Sequence, residues 1–190
     1  MKFPSNQNHS DGHFQDLMLH RIHDILLVAS PYDAFILEED GRLTEQILHE
    51  YLGMNLSYAP RVWQANTASY AMDLLSRRSV DLVIVMMRIS DMDLITFGTQ
   101  VKELYKNKPI ILLAFDESEI KQLPEDRDQF MDNVFVWTGN SSVFPAIIKY
   151  IEDSKNVKRD TRKGDVRSII YIEDTPRYYS SILPLIYKET

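Results

Sequence analysis

The sequence predicts an α/β protein, a doubly wound five-stranded parallel sheet with helices on both faces. Two observations carry this reading. Short apolar runs at residues 82–87 and 110–115 are too short and too rich in branched side chains for lone helices, and they suit strands buried on both faces. Between such runs lie segments with helical spacing, opened by capping residues and closed by Gly or Pro. Strands that alternate with helices require right-handed crossovers and therefore a layered α/β architecture.

Taken in order, residues 1–16 are rich in Ser, Asn, His and Asp, and a flexible N-terminal segment is expected over residues 1–21. Asp24-Ile25-Leu26-Leu27-Val28-Ala29 reads as the first strand, closed by Ser30-Pro31. Phe35, Ile36, Leu43, Ile47, Leu48, Tyr51 and Leu52 fall mostly at helical spacing up to Gly53, with a kink or turn at residues 38–41. Arg61-Val62-Trp63-Gln64-Ala65 alternates as a second strand. Asn66 or Thr67 then caps a helix through Arg77, with Ala68, Ala71, Met72, Leu74 and Leu75 inward.

The third strand is residues 82–87, and a helix over residues 94–105 leads to the fourth at 110–115. Residues 116–130 are charged and predict a short, poorly packed helix around Pro124. Residues 134–137 form the fifth strand. Ser141 or Ser142 caps the helix that carries Val143, Phe144, Ile147, Ile148 and Ile151.

Residues 154–167 are polar and mostly basic, which predicts a linker. Beyond it, Ile169-Ile170-Tyr171-Ile172 with Thr175-Pro176 behind repeats the strand-and-breaker pattern of residues 24–31, and residues 177–188 are helical in pattern. Two elements cannot bury a core of their own. Residues 168–190 are therefore either the truncated start of a second unit, the favoured reading, or a tail docked on the first.

Bulk properties bound the function. The chain's 190 residues suffice for one domain of about 120–150 residues with additions. There is no cysteine, so disulfides and thiolate metal sites are excluded. A net charge of −7 argues against a nucleic-acid partner, because phosphate backbones demand a basic face. No apolar run approaches the ~20 residues of a membrane span, and residues 1–16 lack a signal-peptide core, so a cytoplasmic location is expected.

Ser79-Val80-Asp81-Leu82-Val83-Ile84-Val85, Ser90-Asp91-Met92-Asp93 and Lys108-Pro109-Ile110-Ile111-Leu112-Leu113 give residues 22–153 a resemblance to response-regulator receiver domains. The resemblance implies the flavodoxin-like strand order 2-1-3-4-5, with a crevice at the carboxyl ends of the first and third strands. It also implies a chemistry: receivers move a phosphoryl group from a histidine kinase to an aspartate, using magnesium held by carboxylates, a hydroxyl and a lysine. Against that pattern, the acidic pair falls at Ala29 and Ser30, the acceptor at Met86, the hydroxyl at Ala114 and the lysine at Thr138, followed by Gly139. The reporting aromatic is Phe135, a ring without a hydroxyl. The implied class is a pseudo-receiver with no catalytic residue, no metal and no cofactor.

His20-Arg21-Ile22-His23-Asp24-Ile25-Leu26-Leu27-Val28, Trp137-Thr138-Gly139-Asn140 and the second unit beginning at Ile169 also resemble the N-terminal region of bacterial phosphoenolpyruvate synthase-like proteins. That resemblance implies later domains that bind ATP and phosphoenolpyruvate or pyruvate. Their phosphohistidine and nucleotide-binding segments are absent from these residues.

The remaining candidates each have a plainer reading. Asp91 and Asp93 are substitute phosphoacceptors or helix caps, the caps being favoured. His20 and His23 are a metal pair or, far better supported, solvated histidines. Met86, Met87 and Met92 line a small-molecule pocket or fill the core. Phe115, Phe135, Trp137 and Phe144 form either ordinary packing or a partner surface on the face of the fourth helix, fifth strand and fifth helix. The expected function is a non-phosphorylatable regulatory or dimerisation module, acting through a protein partner or a homodimer on that face. Its rivals are a fragment of an ATP- or phosphoenolpyruvate-dependent phosphotransferase and a small-molecule sensor using the vacated acidic pocket.

Overall fold

The computed structural model describes residues 17–38, 43–53, 59–164 and 168–189. Five strands, β1 (Asp24–Val28), β2 (Arg61–Ala65), β3 (Leu82–Met86), β4 (Ile110–Ala114) and β5 (Asn133–Val136), form one parallel sheet in the order β2-β1-β3-β4-β5. This is the order expected from the sequence. β1, β3 and β4 are buried along their whole length, as their unbroken apolar runs require.

Helices α1 (Pro31–Glu38) and α2 (Leu43–Gly53) lie between β1 and β2, α3 (Ala68–Arg77) between β2 and β3, and α4 (Leu94–Leu104) between β3 and β4. The one-turn α5 (Glu117–Ile120) and a 3₁₀ turn (Arg127–Gln129) stand in the charged stretch before β5. The expected turn within residues 38–41 falls largely outside the described residues. Thr67, not Asn66, caps α3, its hydroxyl accepting from the Tyr70 N–H at 3.1 Å. Alternate residues of the inner strands feed two cores. Ile25, Leu27, Leu82, Ile84 and Met86 meet Leu37, Ile47, Phe144 and Ile147 on one face; Leu26, Val28, Val83 and Val85 meet Leu74, Phe97 and Val101 on the other.

The helix after β5, α6 (Val143–Lys163), has 21 residues, so the linker expected over 154–167 is mostly helix. Its final turns escape hydrophobic periodicity because their buried face is polar. Glu152, Asn156 and Asp160, four residues apart, are 7%, 1% and 7% exposed. They accept the backbone N–H groups of Ile22, His20 and Met18, each at 2.9 Å, and the Asn156 amide returns a bond to the His20 carbonyl at 2.8 Å. The two repeats match: one i,i+4 helical step rises about 6.0 Å, and two extended residues advance about 6.6 Å. Residues 18–22 are thus strapped to α6 by side-chain hydrogen bonds, and the flexible segment expected through residue 21 does not extend over 18–21.

The last helix, α7 (Pro176–Glu189), packs on α6 and along β5. It caps the outer edge of the sheet. The Val136 N–H donates to Ser180 Oγ at 2.9 Å, and the Tyr179 hydroxyl donates to the Val134 carbonyl. An open strand edge offers such groups to any passing chain, and here a helix satisfies them. Further out, Tyr187 donates to Asp153 Oδ2 at 3.0 Å and Lys188 Nζ lies 2.9 Å from Glu50. Residues 176–189 are thus docked on the first unit. The strand expected at residues 169–172 is not formed: Ile169, Ile170 and Ile172 are exposed, and the edge of β5 is taken by α7.

Candidate functional site

The carboxyl edge of the sheet gathers the positions singled out from the sequence, although not into one pocket. Ala29 follows β1 and is buried. Its N–H donates to the Ala65 carbonyl at 3.0 Å. Ser30 opens α1, its Oγ accepting from the Asp33 N–H at 3.1 Å and its carbonyl from the Ala34 N–H at 2.8 Å. Met86 ends β3 with no exposed surface and shares a core with Leu27, Ala29 and Leu113. Ala114 ends β4 and belongs to the core on the opposite face. Thr138 is exposed in the loop after β5, just before Gly139, whose φ of +78° lies in the left-handed region where a side chain would be strained.

Two residues that the sequence does not single out form a part-buried ion pair at this edge. Asp33, in the first turn of α1, is 1% exposed, and Arg88, two residues past β3, reaches it at 2.8 Å. The hydrogen bond and charge of Asp33 raise the pKa of the Arg88 guanidinium, with the more distant Glu119 carboxylate adding to the effect. The guanidinium also lies 5.9 Å from the centre of the Tyr32 ring. Glu119 is itself engaged, its Oε2 accepting the Phe115 N–H at 2.7 Å. The buried carboxylate therefore has a fixed organic cation as its partner.

Magnesium does not fit this donor set. It wants several oxygen ligands in octahedral array. Ala29, Ala114, Met86, Ser30 and Thr138 offer two methyl side chains, a thioether and two hydroxyls, and the buried carboxylate of this edge, Asp33, is ion-paired. Among the described residues, no three His, Cys, Asp or Glu side chains come together at a metal-holding spacing. Beside Ala29, a cleft of about 240 Å³ is lined by Leu27, Ala34, Gln64, Ala65, Asn66 and Tyr70, all uncharged.

Asp91 and Asp93 both hold helix starts. Asp93 caps α4, accepting the Thr96 N–H at 2.9 Å and the Thr96 hydroxyl at 2.6 Å. Asp91 caps the preceding helix α3 from outside, with the Ala68 N–H at 2.6 Å and the Ser69 N–H at 3.0 Å. These bonds to Ser69 and to Thr96 lower the pKa of each carboxyl. The three methionines part company: Met86 lies in one core, and Met87 and Met92 pack against the other. His20 and His23 sit exposed at the amino edge of the sheet, far from this site in the fold.

The four aromatic residues are packed to different depths. Phe135 and Phe144 are 0% and 2% exposed, and Phe115 and Trp137 are half-buried. Phe135 makes edge-to-face contacts with Tyr150 at 5.7 Å and with Tyr179 of α7 at 5.2 Å, and Trp137 leans on Phe144 at 5.9 Å. The sequence shows aromatic residues near a strand end; it does not show that α7 closes over that strand.

No family model matches the sequence, and the search of curated proteins finds no match. Solved structures do match. A signal receiver domain of an HD domain-containing protein from Pseudomonas fluorescens is 23% identical over 75% of this chain and 95% of its own, with a TM-score of 0.52. A response regulator receiver domain protein from Clostridium thermocellum is 13% identical over 70% of this chain and 97% of its own, at 0.54. A receiver domain protein from Methanospirillum hungatei is 15% identical over 70% and 96%, at 0.53. Among the described residues, no helix is long and apolar enough to cross a membrane. With its 2-1-3-4-5 parallel sheet and these neighbours, the chain has the fold of the response-regulator receiver domain.

Proposed function

We propose that residues 22–153 form a receiver-fold module that is not a phosphoacceptor and that regulates a larger signalling protein through protein contacts. One observation supports this most: the residue ending β3 is Met86, a thioether with no exposed surface, where phosphoryl transfer would need a solvent-reachable carboxylate. Asp33, the buried carboxylate of the same edge, is held by Arg88. Without phosphorylation, switching requires a partner or ligand that prefers one conformation. The attachment to a phosphoenolpyruvate synthase-like protein rests on the sequence resemblance alone.

The face of β5 and α6 carries α7 here, so self-association through it requires α7 to move aside. Incubation with acetyl phosphate and magnesium, followed by intact-mass analysis under conditions that preserve acyl phosphates, tests the reading. The expected result is no adduct. A labile phosphoryl group mapped to Asp33, Asp91 or Asp93 overturns it.

A further inference from the structure

Helix α7 is apolar on both faces. Tyr179 and Pro184 are buried on the docked face, with Leu183 packed beside them against the core. On the opposite face, at the spacing i, i+4, i+7, Tyr178, Ile182 and Leu185 are 58%, 37% and 62% exposed. Ile169 and Tyr171 line one cleft with Leu183 and Ile186, so residues 169–172 run back beside α7, where Ile170 and Ile172 are exposed. A helix apolar all round belongs inside a larger assembly, and exposed apolar residues gathered in one place mark a contact surface.

The charges at the two ends of α7 point to what covers it. Arg177 stands in the first turn and Glu189 is the last helical residue; both are exposed, and among the described residues neither has an ion-pair partner. Each is at the wrong end for its own helix, whose N-terminus carries about +0.5 charge and whose C-terminus about −0.5. Each is at the right end for a second α7 laid antiparallel. From Ile182, Arg177 is five residues or ~8 Å to one side and Glu189 seven residues or ~10 Å to the other. A difference of ~3 Å is within the swing of an arginine side chain. Parallel pairing would instead set Arg177 on Arg177 and Glu189 on Glu189. The neighbouring charges are committed, Lys188 to Glu50 at 2.9 Å and Asp174 to the Thr175 hydroxyl at 3.2 Å.

We propose that the chain associates with a second copy of itself through the outer face of α7, antiparallel about a two-fold axis at Ile182. Each Arg177 then meets the partner's Glu189, Tyr178 packs on the partner's Leu185, and Ile170 and Ile172 extend the apolar contact. The two-fold operation uses the same patch on both copies and closes the assembly at two. α7 stays docked on β5 throughout. The interface rests on α7 and not on the edge at Met86, so either reading can fail alone.

Sedimentation velocity of the full chain from about 5 to 500 μM tests it, because an interface of this modest size associates weakly. The average mass is expected to rise with concentration toward twice that of the chain. Leu185→Glu charges the outer stripe without touching the docked face, and it should weaken association about tenfold or more. Arg177→Glu and Glu189→Arg each suit the dipole of their own helix, so the monomer keeps its stability. Each alone should nevertheless weaken the dimer roughly three- to tenfold, and the two together should restore it. A chain that stays monomeric throughout, association indifferent to Leu185→Glu, or charge reversals that fail to compensate would each overturn the proposal. The first of these results would leave the outer face of α7 to a partner of another kind.

Discussion

Arg88 Nη2 lies 2.8 Å from Asp33 Oδ1, joining the loop after β3 to the first turn of α1. The carboxylate is buried and the guanidinium is 57% exposed, so the two ends of the pair are unequal. Removing the arginine strands a buried charge, whereas removing the carboxylate leaves a cation that water can solvate. Arg88→Ala is expected to destabilise the fold by about 1–3 kcal/mol, and adding Asp33→Asn should recover most of that loss. A double-mutant cycle by urea denaturation measures the coupling; independent, additive effects would show that the contact is not energetic.

At the amino edge, Asp24 is 8% exposed and accepts from the Trp63 indole at 2.8 Å and from Arg61 at 2.8 Å. Burial alone would raise its pKa, but the hydrogen bonds from Trp63 and Arg61, with the Arg61 charge, outweigh it and hold the carboxyl below its ordinary value of 3.8. A lowered folded-state pKa contributes stability above the unfolded value and loses it as pH falls through the folded one. Asp24→Asn should therefore cost about 1–2 kcal/mol at neutral pH, with the gap to the parent narrowing below about pH 4. Denaturation curves at pH 7 and pH 3 decide it, and a gap that stays constant across both would contradict the assignment.

Ser180 Oγ receives the outward N–H of Val136. Ser180→Ala leaves that amide without a partner under α7, and a loss of about 1–2 kcal/mol is expected. The more direct readout is hydrogen exchange. The Val136 amide should lose protection in the variant while the inner strand β3 keeps its own, and unchanged protection at Val136 would mean that α7 does not cap the edge in solution.

Asn156 holds His20 through both backbone groups. Asn156→Ala is expected to loosen residues 18–22 from α6 at a cost of about 1–2 kcal/mol. Limited proteolysis should then cut after Arg21 earlier than in the parent chain. A cleavage pattern identical to the parent's would argue that the bonds from Glu152 and Asp160, with the burial of Ile22, hold the strap without Asn156.

Much of the fold is legible in the chain because its cues are local. Three fully buried strands give unbroken apolar runs, and α3 shows an apolar stripe behind the Thr67 cap. The candidate edge was legible as well, since Ala29, Met86 and Ala114 follow directly from where those strands end. Asp33 and Arg88 were not, because 55 residues separate them and neither stands in a patterned context. The late turns of α6 escaped for a related reason: a helix face that binds backbone with Glu152, Asn156 and Asp160 reads as a polar linker to any test based on hydrophobic period.

The sequence by itself determined the parallel α/β sheet and which residues stand at the carboxyl ends of its strands, because burial on both faces and strand ends are written in consecutive residues. Only the tertiary structure decided that α7 closes the β5 edge, that residues 18–22 lie along α6, and that a buried carboxylate at the carboxyl edge answers to an arginine. Each of these depends on hydrogen bonds or ion pairs between residues more than forty positions apart. Such contacts become favourable only after the sheet has brought the partners together, so no stretch of sequence announces them.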